Sequence, residues 1–198
     1  MKIAILGFGS VGQKLNQIFQ QAGYQVVVGV RQPEAGTEQL SFAQAATDAE
    51  AIVLAIPFQA CQQLLSELQS ILTGKIIIDA TNPLNDDWSP LLLGQENSAA
   101  EEIAKLLPGS NVVKAFNTIF VDVMDKPVRN SQKITAFIAG DDEAAKGKVM
   151  LLAEKSGYTP LDSGPLFSAR YLENMAHLNI QIAVGQGGGT DAAFIYSN

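Results

Sequence analysis

The feature that most constrains this chain is a glycine-rich turn near its N-terminus, between an apolar run and an amphipathic stretch. The run Lys2–Leu6 predicts a short buried strand, and the GxGxxG pattern Gly7–Gly12 follows at once. From Val11 to Ala22 apolar residues recur at helical spacing, and Gln25–Val30 predicts a second buried strand. This strand–helix–strand context makes the pattern typical of a dinucleotide-binding unit.

The residues of the turn have distinct predicted roles in binding a pyrophosphate. Gly7 permits a tight turn, Gly9 leaves space for the phosphates, and Gly12 lets helix and strand pack closely. Free N–H groups at the start of the helix favour an anion. A glycine-rich turn without a ligand is the alternative. We therefore predict a phosphate-binding turn composed of Gly7, Phe8, Gly9, Ser10, Val11 and Gly12.

The end of the second predicted strand indicates which dinucleotide binds. Sites that prefer NAD usually have an Asp or Glu there to bind the ribose 2′-hydroxyl. This chain has Arg31 at that point, and the next acid is Glu34. An arginine can pair with a 2′-phosphate through its planar guanidinium, although an ordinary surface arginine is the alternative. Arg31 therefore predicts NADP(H) as the cofactor.

Composition limits the class of protein. At 198 residues, with 47% hydrophobic and 17% charged residues, the chain suits one domain, 1–198, with a C-terminal helical segment at 164–198. No apolar run predicts a bilayer span, and the strand at the N-terminus predicts that there is no signal peptide. The single cysteine, Cys61, fits a reducing cytoplasm. The net charge of −7 argues against nucleic acid or a membrane as partner.

The remainder of the chain alternates strand and helix patterns, with residues 85–95 predicted to be irregular. Strands are predicted at 51–56, 75–79, 111–116 and 134–139, with an edge strand at 158–162 that contains Pro160. Helices are predicted at 58–72, at 98–107 behind the capping box Ser98–Glu101, from Asp142 to Ser156, and at 168–184. This alternation predicts an α/β fold with a doubly wound parallel sheet, the Rossmann NAD(P)-binding fold, and a C-terminal helix packed on it.

Three loops follow predicted strands and should line one crevice. Ligands of such sheets bind beyond the carboxyl ends of the strands, so loop position favours a binding role. Ordinary turn chemistry is the alternative for each loop. The candidate cofactor-binding residues here are Ile56, Pro57, Phe58, Asn82, Pro83, Leu84, Ala115, Phe116 and Asn117.

No residue is assigned a catalytic role from the sequence. His177 lies in the final predicted helix without the Cys, His or carboxylate neighbours of a metal site, which predicts a structural or pocket-edge residue. Cys61 falls on an apolar helix face and is predicted to be a core thiol. No metal site and no Ser/His/Asp nucleophile arrangement is predicted.

Several motifs together make the chain resemble the deazaflavin-dependent NADP oxidoreductase family. Similarity also extends to the cytosolic domain of the six-transmembrane metalloreductases. The resemblance covers nearly the whole chain. It rests on the N-terminal turn, Val28-Gly29-Val30-Arg31, Ala55-Ile56-Pro57-Phe58, Ser98-Ala99-Ala100-Glu101, Ala139-Gly140-Asp141-Asp142, and Leu161 to Leu166 with Ala169-Arg170.

The resemblance implies a reductase that moves hydride between NADP(H) and a deazaflavin or a flavin such as FMN or FAD. It implies that Arg31 binds the 2′-phosphate and that Pro57 and Phe58 lie near the nicotinamide. A serine often precedes that arginine in the family, where this chain has Val30. The loop Thr81–Leu84 is nearer to the metalloreductases, so the small-molecule acceptor stays open. The alternatives are a dehydrogenase of a small imine or hydroxy acid, and a non-catalytic NADP(H)-binding module.

The final predicted helix also implies an interaction surface. Its apolar stripe must be buried either across the crevice or against a second subunit. In relatives this segment helps to close the acceptor pocket and supports dimer contacts, which implies a homodimer with this helix at or near the interface. The stripe consists of Leu172, Met175, Ala176, Asn179 and Ala183.

Overall fold

The computed structural model describes residues 1–91, 93 and 96–197. Residues 92, 94 and 95 of the stretch predicted to be irregular, and residue 198 of the tail, lie outside the described residues. The strands are β1 (Lys2–Leu6), β2 (Gln25–Val30), β3 (Leu40–Ser41), β4 (Ala51–Leu54), β5 (Ile76–Asp79), β6 (Asn111–Lys114), β7 (Val128–Arg129), β8 (Gln132–Lys133), β9 (Thr135–Gly140) and β10 (Thr159–Asp162). The helices are α1 (Ser10–Gln21), α2 (Phe42–Thr47), α3 (Phe58–Leu72), α4 (Ala99–Leu106), α5 (Val121–Met124), α6 (Glu143–Lys155) and α7 (Ala169–Ile180).

Eight strands form one sheet in the order β10-β9-β6-β5-β4-β1-β2-β3, and β7 and β8 form a separate hairpin. The predicted α/β fold is confirmed, and Pro160 lies in the edge strand β10 as predicted. One detail differs from a wholly parallel sheet: β9 pairs antiparallel with β6, and β10 follows β9. The link between β6 and β9 holds only α5 and the small hairpin. Antiparallel strands can be joined without a crossover helix. β9 can therefore begin at the carboxyl edge of the sheet, where β6 ends, and run back beside β6.

Alternate side chains of the central strands enter two separate cores. Ile3 and Ile5 of β1 pack with α1 and α6 on one face, while Ala4 and Leu6 pack with α2, α3 and α4 on the other. The same alternation explains why β4 is apolar throughout and why β5 is apolar up to its last residue, Asp79. Cys61 is fully buried in the second core, as predicted.

Side-chain caps fix where several helices begin. Asp142 accepts a hydrogen bond from the Ala145 N–H at 2.7 Å, which confirms the predicted start of α6. The predicted capping box of α4 forms only in part. Ser98 accepts from the Glu101 N–H at 3.2 Å, but the Glu101 carboxylate accepts from Arg170 at 2.6 and 2.8 Å rather than returning to the backbone. A complete capping box forms instead between Ser41 and Gln44.

The C-terminal helix, α7, lies between two short helical turns. A 3-10 turn, Leu166–Ser168, precedes α7, and a π-helical turn, Gln181–Gly185, follows it. Early residues of α7 contact the start of α4 and the loop after β6: Arg170 donates to Glu101, and the Leu172 carbonyl accepts from Asn117. The tail then returns to β9, where Phe194 accepts from the Thr135 N–H at 3.0 Å. Among the described helices, none combines the length and apolarity needed to cross a bilayer.

Candidate functional site

Two glycines of the N-terminal turn are required by the packing of the protein itself. Gly7 has φ +109°, and a Cβ there would lie 2.3 Å from the carbonyl oxygen of Ala55. A Cβ at Gly12 would lie 2.1 Å from the carbonyl oxygen of Gly7. The turn therefore closes tightly between β1, α1 and β4, at the point where the order of the strands reverses.

Gly9 differs, because nothing in the protein requires a glycine there. Its backbone is extended, and a Cβ would meet no atom within 4 Å. It precedes α1, whose first N–H groups have no side-chain cap. Open space beside free helical N–H groups is the geometry that a pyrophosphate needs, so the residues fit a dinucleotide.

An apolar pocket of about 600 Å³ adjoins the turn. Its lining comes from the turn, the loops after β4, β5 and β6, α5, α7 and the tail. Ten predicted residues line it: Gly9, Ser10, Val11, Ile56, Pro57, Phe58, Asn82, Leu84, Phe116 and Asn117. Six do not: Gly7, Phe8, Gly12, Arg31, Pro83 and Ala115.

The loop after β6 places its predicted residues in different surroundings. Ala115 is fully buried in the core. The Phe116 ring packs edge-on against Phe19 and Tyr158, at centroid distances of 5.5 and 6.0 Å. Phe116 also has φ +65°, an uncommon conformation for an aromatic residue. Because the ring is buried in the core, only the backbone of Phe116 is available to a ligand in the crevice.

Arg31 lies just beyond β2, exposed to solvent and outside the pocket lining. Within the described residues it forms no ion pair. Because β2 pairs in parallel with β1, Arg31 follows its strand at the same carboxyl edge of the sheet as the glycine turn. This position is compatible with a 2′-phosphate of a dinucleotide that lies on the turn.

Two asparagines tie the loops after β5 and β6 together. Asn82 Nδ2 donates to the Asn117 carbonyl at 2.9 Å, and Asn117 Nδ2 donates to Asn82 Oδ1 at 2.9 Å and to the Leu172 carbonyl at 3.1 Å. Each donor faces an acceptor, so neither amide can be flipped without placing oxygen against oxygen. The pair therefore fixes the width of the crevice between these loops and α7.

A buried ion network lies beneath the same loops. Lys114, at the end of β6, is fully buried, and its Nζ donates to Asp79 at 2.8 Å, to Glu173 at 2.8 Å and to the Thr81 carbonyl at 2.7 Å. Glu173 of α7 also accepts from the Ala99 N–H at 2.9 Å, at the start of α4. The network therefore joins α7, α4 and the carboxyl edge of the sheet.

The network holds Lys114 in its charged form. Burial by itself lowers the pKa of Lys114, but attraction to Asp79 and Glu173 outweighs it, and the pKa is raised above its ordinary value. All three N–H groups already have acceptors. Lys114 is therefore a structural cation rather than a proton donor.

His177 and Cys61 have environments that suit structural roles. His177 Nε2 lies 3.2 Å from the Pro83 carbonyl, and burial lowers the pKa of this half-buried imidazole. The ring therefore links α7 to the loop after β5, outside the pocket lining. Burial, followed by the nearby Asp79, raises the pKa of Cys61 to about 12, so this thiol is unreactive at neutral pH.

Several residues of the pocket were not predicted from the sequence. Beneath the pocket, Asp79 and Lys114 are charged residues at the ends of two apolar strands, which is a signal that the sequence does contain. The predicted stripe of the final helix, for which burial across the crevice was one alternative, reaches the lining through Ala176 and Asn179, whereas no local pattern indicates the contributions of α5 and the tail. The unpredicted lining includes Trp88, Asp122, Ile180 and Thr190.

Comparisons with known proteins agree on one family. Residues 2–83 match the family described as NADP oxidoreductase, coenzyme F420-dependent. The F420-dependent NADP reductase of Methanothermobacter marburgensis is 30% identical over 216 residues, covering 93% of this chain and 93% of that protein. A crystal structure from Arthrobacter sp. FB24, provisionally assigned as an F420-dependent NADP-reductase, superposes over 100% of both chains with a TM-score of 0.87 and 28% identity.

A second group of relatives is longer. The metalloreductase STEAP3 of Rattus norvegicus is 34% identical over 178 residues, which are 87% of this chain. The match covers only 36% of that relative, so this chain spans about a third of its length.

Proposed function

Since this chain belongs to the family of coenzyme F420-dependent NADP oxidoreductases and is an NADP-dependent oxidoreductase, we propose that it transfers hydride between NADP(H) and a deazaflavin- or flavin-type ring. The observation that carries the proposal is the junction of the glycine turn with an apolar pocket of about 600 Å³. A dinucleotide on the turn extends towards the pocket, which has space for a second ring.

The nucleotide would be held mainly by the backbone. N–H groups at the start of α1 bind the pyrophosphate beside Gly9, and Arg31 pairs with the 2′-phosphate. Pro57 and Phe58 lie at the nicotinamide side of the pocket. Bound NADP(H) supplies or accepts hydride at C4 of the nicotinamide.

The remaining walls would align the two rings and exclude water. Hydride transfer needs alignment more than an acid or base. Among the lining residues that the structure describes, Asp86 and Asp122 are the only ionisable side chains, and both are exposed. All three N–H groups of the Lys114 ammonium already donate to protein acceptors, and His177 does not line the pocket. This lining favours a ring acceptor over a small imine or hydroxy acid, whose reduction needs a positioned proton donor.

Hydride transfer is tested directly with a deazaflavin, whose C5–H does not exchange with solvent. NADPH deuterated on one C4 face should be oxidised on mixing, and the label should appear on C5 of the acceptor. FMN, FAD, ferric chelates, a cyclic imine and a 2-keto acid serve as competing acceptors. Reduction of the imine or keto acid alone would favour the dehydrogenase, and binding of NADPH without turnover on any acceptor would favour a non-catalytic module.

The choice of nucleotide rests on Arg31. Titration calorimetry should give NADPH an affinity at least about tenfold above that of NADH. Arg31→Gln should remove most of this ratio by weakening NADPH alone. Lys148→Gln, which removes a cation at the opposite edge of the sheet, should leave the ratio unchanged. Equal affinities in the wild-type protein would exclude this role for Arg31.

We also propose a homodimer that buries the outer face of α7. The apolar surface of the C-terminal segment divides in the structure. The predicted stripe faces the chain itself, with Leu172, Ala176, Asn179 and Ala183 buried and Met175 partly buried. A second apolar set, about half exposed or more, lies on the outer side: Phe167, Tyr171, Leu178, Ile182 and Val184. Phe167, Tyr171, Leu178 and Ile182 recur at spacings of helical period, and such a face is typical of an interface.

This division changes how the dimer is tested. A Leu172→Glu substitution would place a carboxylate in the core and unfold the chain, so it is uninformative. Tyr171→Glu with Leu178→Glu should convert the dimer to a monomer by light scattering, with NADPH affinity retained. A wild-type protein with the mass of one chain would contradict the dimer.

A further inference from the structure

Two residues on the wall of the pocket each carry a buried polar atom that has no hydrogen-bond partner. The atoms are Oγ1 of Thr81, in the loop after β5, and Oδ1 of Asn117, in the loop after β6. Both residues line the pocket, and only 5% of Thr81 and 6% of Asn117 is exposed. Within the described part of the chain, neither atom meets a donor or an acceptor. A buried polar atom without a partner costs free energy, so two of them in one pocket indicate a ligand that pairs with them.

The Thr81 hydroxyl is held in place through its own backbone. The Thr81 N–H donates to Asp79 Oδ1 at 2.9 Å, and the Thr81 carbonyl accepts from Lys114 Nζ at 2.7 Å. Both contacts belong to the buried ion network, and neither uses the hydroxyl. A hydroxyl can donate one hydrogen bond or accept another, so Thr81 can donate to a carbonyl oxygen of a ligand.

The unpaired atom of Asn117 has a narrower requirement. Its Nδ2 uses both N–H groups, since it donates to Asn82 Oδ1 at 2.9 Å and to the Leu172 carbonyl at 3.1 Å. These two acceptors fix the orientation of the amide, so the unpaired atom is the oxygen and not the nitrogen. An amide oxygen only accepts hydrogen bonds. A ligand that pairs with Asn117 must therefore present an N–H group.

The order of the strands relates this wall to the proposed position of the dinucleotide. β2, which precedes Arg31, and β4 flank β1 on opposite sides, and β5 and β6 follow β4. A dinucleotide on the glycine turn with its 2′-phosphate at Arg31 extends its other half over β4, β5 and β6. That half ends in nicotinamide, whose carboxamide carries an NH₂ group beside a carbonyl oxygen. The carboxamide therefore offers the donor and the acceptor that the two unpaired atoms require.

We infer that the nicotinamide carboxamide binds between these loops, with its NH₂ group on Asn117 Oδ1 and its carbonyl oxygen on the Thr81 hydroxyl. This inference rests on the proposed placement of NADP(H) in the crevice, and it is independent of which acceptor is reduced. It adds two side-chain contacts to a nucleotide otherwise held mainly by backbone. Contacts to both the nitrogen and the oxygen of the carboxamide hold the ring in one orientation, which aligns C4 for transfer.

The Asn117 contact is tested with a nucleotide that lacks the NH₂ group. The acetylpyridine analogue of NADP⁺ has a methyl group in its place and keeps the carbonyl. It would leave Asn117 Oδ1 buried without a partner, so calorimetry should give it an affinity at least about tenfold below that of NADP⁺. Equal affinities for the analogue and NADP⁺ would overturn the inference.

The Thr81 contact is tested by effects of opposite sign on stability and on binding. Thr81→Val removes only an unpaired hydroxyl, so the melting temperature of the protein without ligand should stay the same or rise by a few degrees. The same change should weaken NADP⁺ binding about tenfold, because the carboxamide oxygen loses its donor. Thr81→Ser keeps a hydroxyl and should retain most of the affinity. A lower melting temperature with unchanged affinity in Thr81→Val would assign the hydroxyl a structural role and overturn the inference.

Thr135→Val is the matched control for stability. Thr135 is also buried, but its Oγ1 accepts from the Tyr196 N–H at 2.9 Å. Loss of this paired hydroxyl should lower the melting temperature and leave NADP⁺ affinity unchanged.

A nucleotide without nicotinamide separates the carboxamide from the rest of the site. The ligand 2′-phospho-ADP-ribose keeps the pyrophosphate and the 2′-phosphate, so Thr81→Val should leave its affinity unchanged. If Thr81→Val weakens only the binding of a flavin or deazaflavin, the unpaired atoms belong to the acceptor site and the inference is overturned. A wild-type protein that binds neither NADP⁺ nor 2′-phospho-ADP-ribose would instead reject the proposed function.

Discussion

The two halves of the crevice are built by different means. The half proposed to bind the nucleotide, the nucleotide half, is backbone from one continuous stretch, in which Gly7, Gly9 and Gly12 are within six residues of one another. The half proposed to bind the acceptor, the acceptor half, is made of side chains from segments far apart in the chain, joined by Lys114, Asp79 and Glu173. A binding site formed by backbone depends on the space around a few Cα atoms. A pocket wall formed by side chains depends on packing between distant segments and on the pairing of buried charges. The two halves should therefore fail differently when they are mutated.

The largest effect is expected from Lys114→Met. This change leaves Asp79 and Glu173 buried without their cation, and breaking such a pair typically costs about 3–5 kcal/mol of unfolding free energy. Lys105→Met is the matched control, because Lys105 is 65% exposed and pairs with Glu102 on the surface. Removing that exposed pair should cost about 1 kcal/mol or less. Urea unfolding measures both, and equal losses would show that the acceptor wall does not depend on the network.

A smaller effect is expected within the nucleotide half, where two glycines should behave in opposite ways. Gly12→Ala forces the turn open, because its Cβ would lie 2.1 Å from the Gly7 carbonyl oxygen. It should lower stability by about 1–3 kcal/mol. Gly9→Ala meets no protein atom, so stability should change by only a few tenths of a kcal/mol while NADPH affinity falls about tenfold. Thermal unfolding and calorimetry separate the two outcomes. A Gly9→Ala protein that binds NADPH normally would remove the ligand role of the open space.

The smallest effect concerns His177 and pH. Its pKa is lowered in the folded protein, so between that value and the ordinary unfolded value of about 6.5 the unfolded chain binds more protons. The contribution of the neutral His177 imidazole to folding stability is therefore fully present above about pH 6.5, and it is lost as the pH falls towards the folded pKa. His177→Gln should show a smaller fall in melting temperature than the wild type between about pH 7.5 and 5.5. Parallel curves for the two proteins would contradict this linkage.

The sequence predicts the nucleotide half well because its signals are local. Strand, turn and helix follow one another within thirty residues, and the structure confirms each of them. The predicted roles of Arg31 and the loop residues in ligand binding remain predictions. The expectation for Phe116 changes most, since its ring belongs to the core. Sequence position could place that residue at the edge of the crevice but could not give the direction of its side chain.

The acceptor half was predicted less completely because its determinants are not local. The antiparallel direction of β9 relative to β6 depends on how residues 115–134 pack, and no sequence motif predicts it. The contact between Glu173 and Lys114 joins residues 59 apart, so no periodicity reveals it. Trp88 lies in the stretch 85–95, which is predicted only to be irregular, so no pattern places it on the pocket lining.

The buried lysine has a consequence for how this protein can be divided or recombined. The sequence pattern suggests a boundary near Gly164. By this pattern, the C-terminal segment 164–198 could be exchanged for another segment that binds a different acceptor. Lys114 lies in the central sheet, however, and one of its two carboxylates belongs to α7. A chain that ends at Gly164 would lose a counter-ion of its own core. Any transplanted helix must therefore bring a carboxylate to the position of Glu173, whatever acceptor it is chosen to bind.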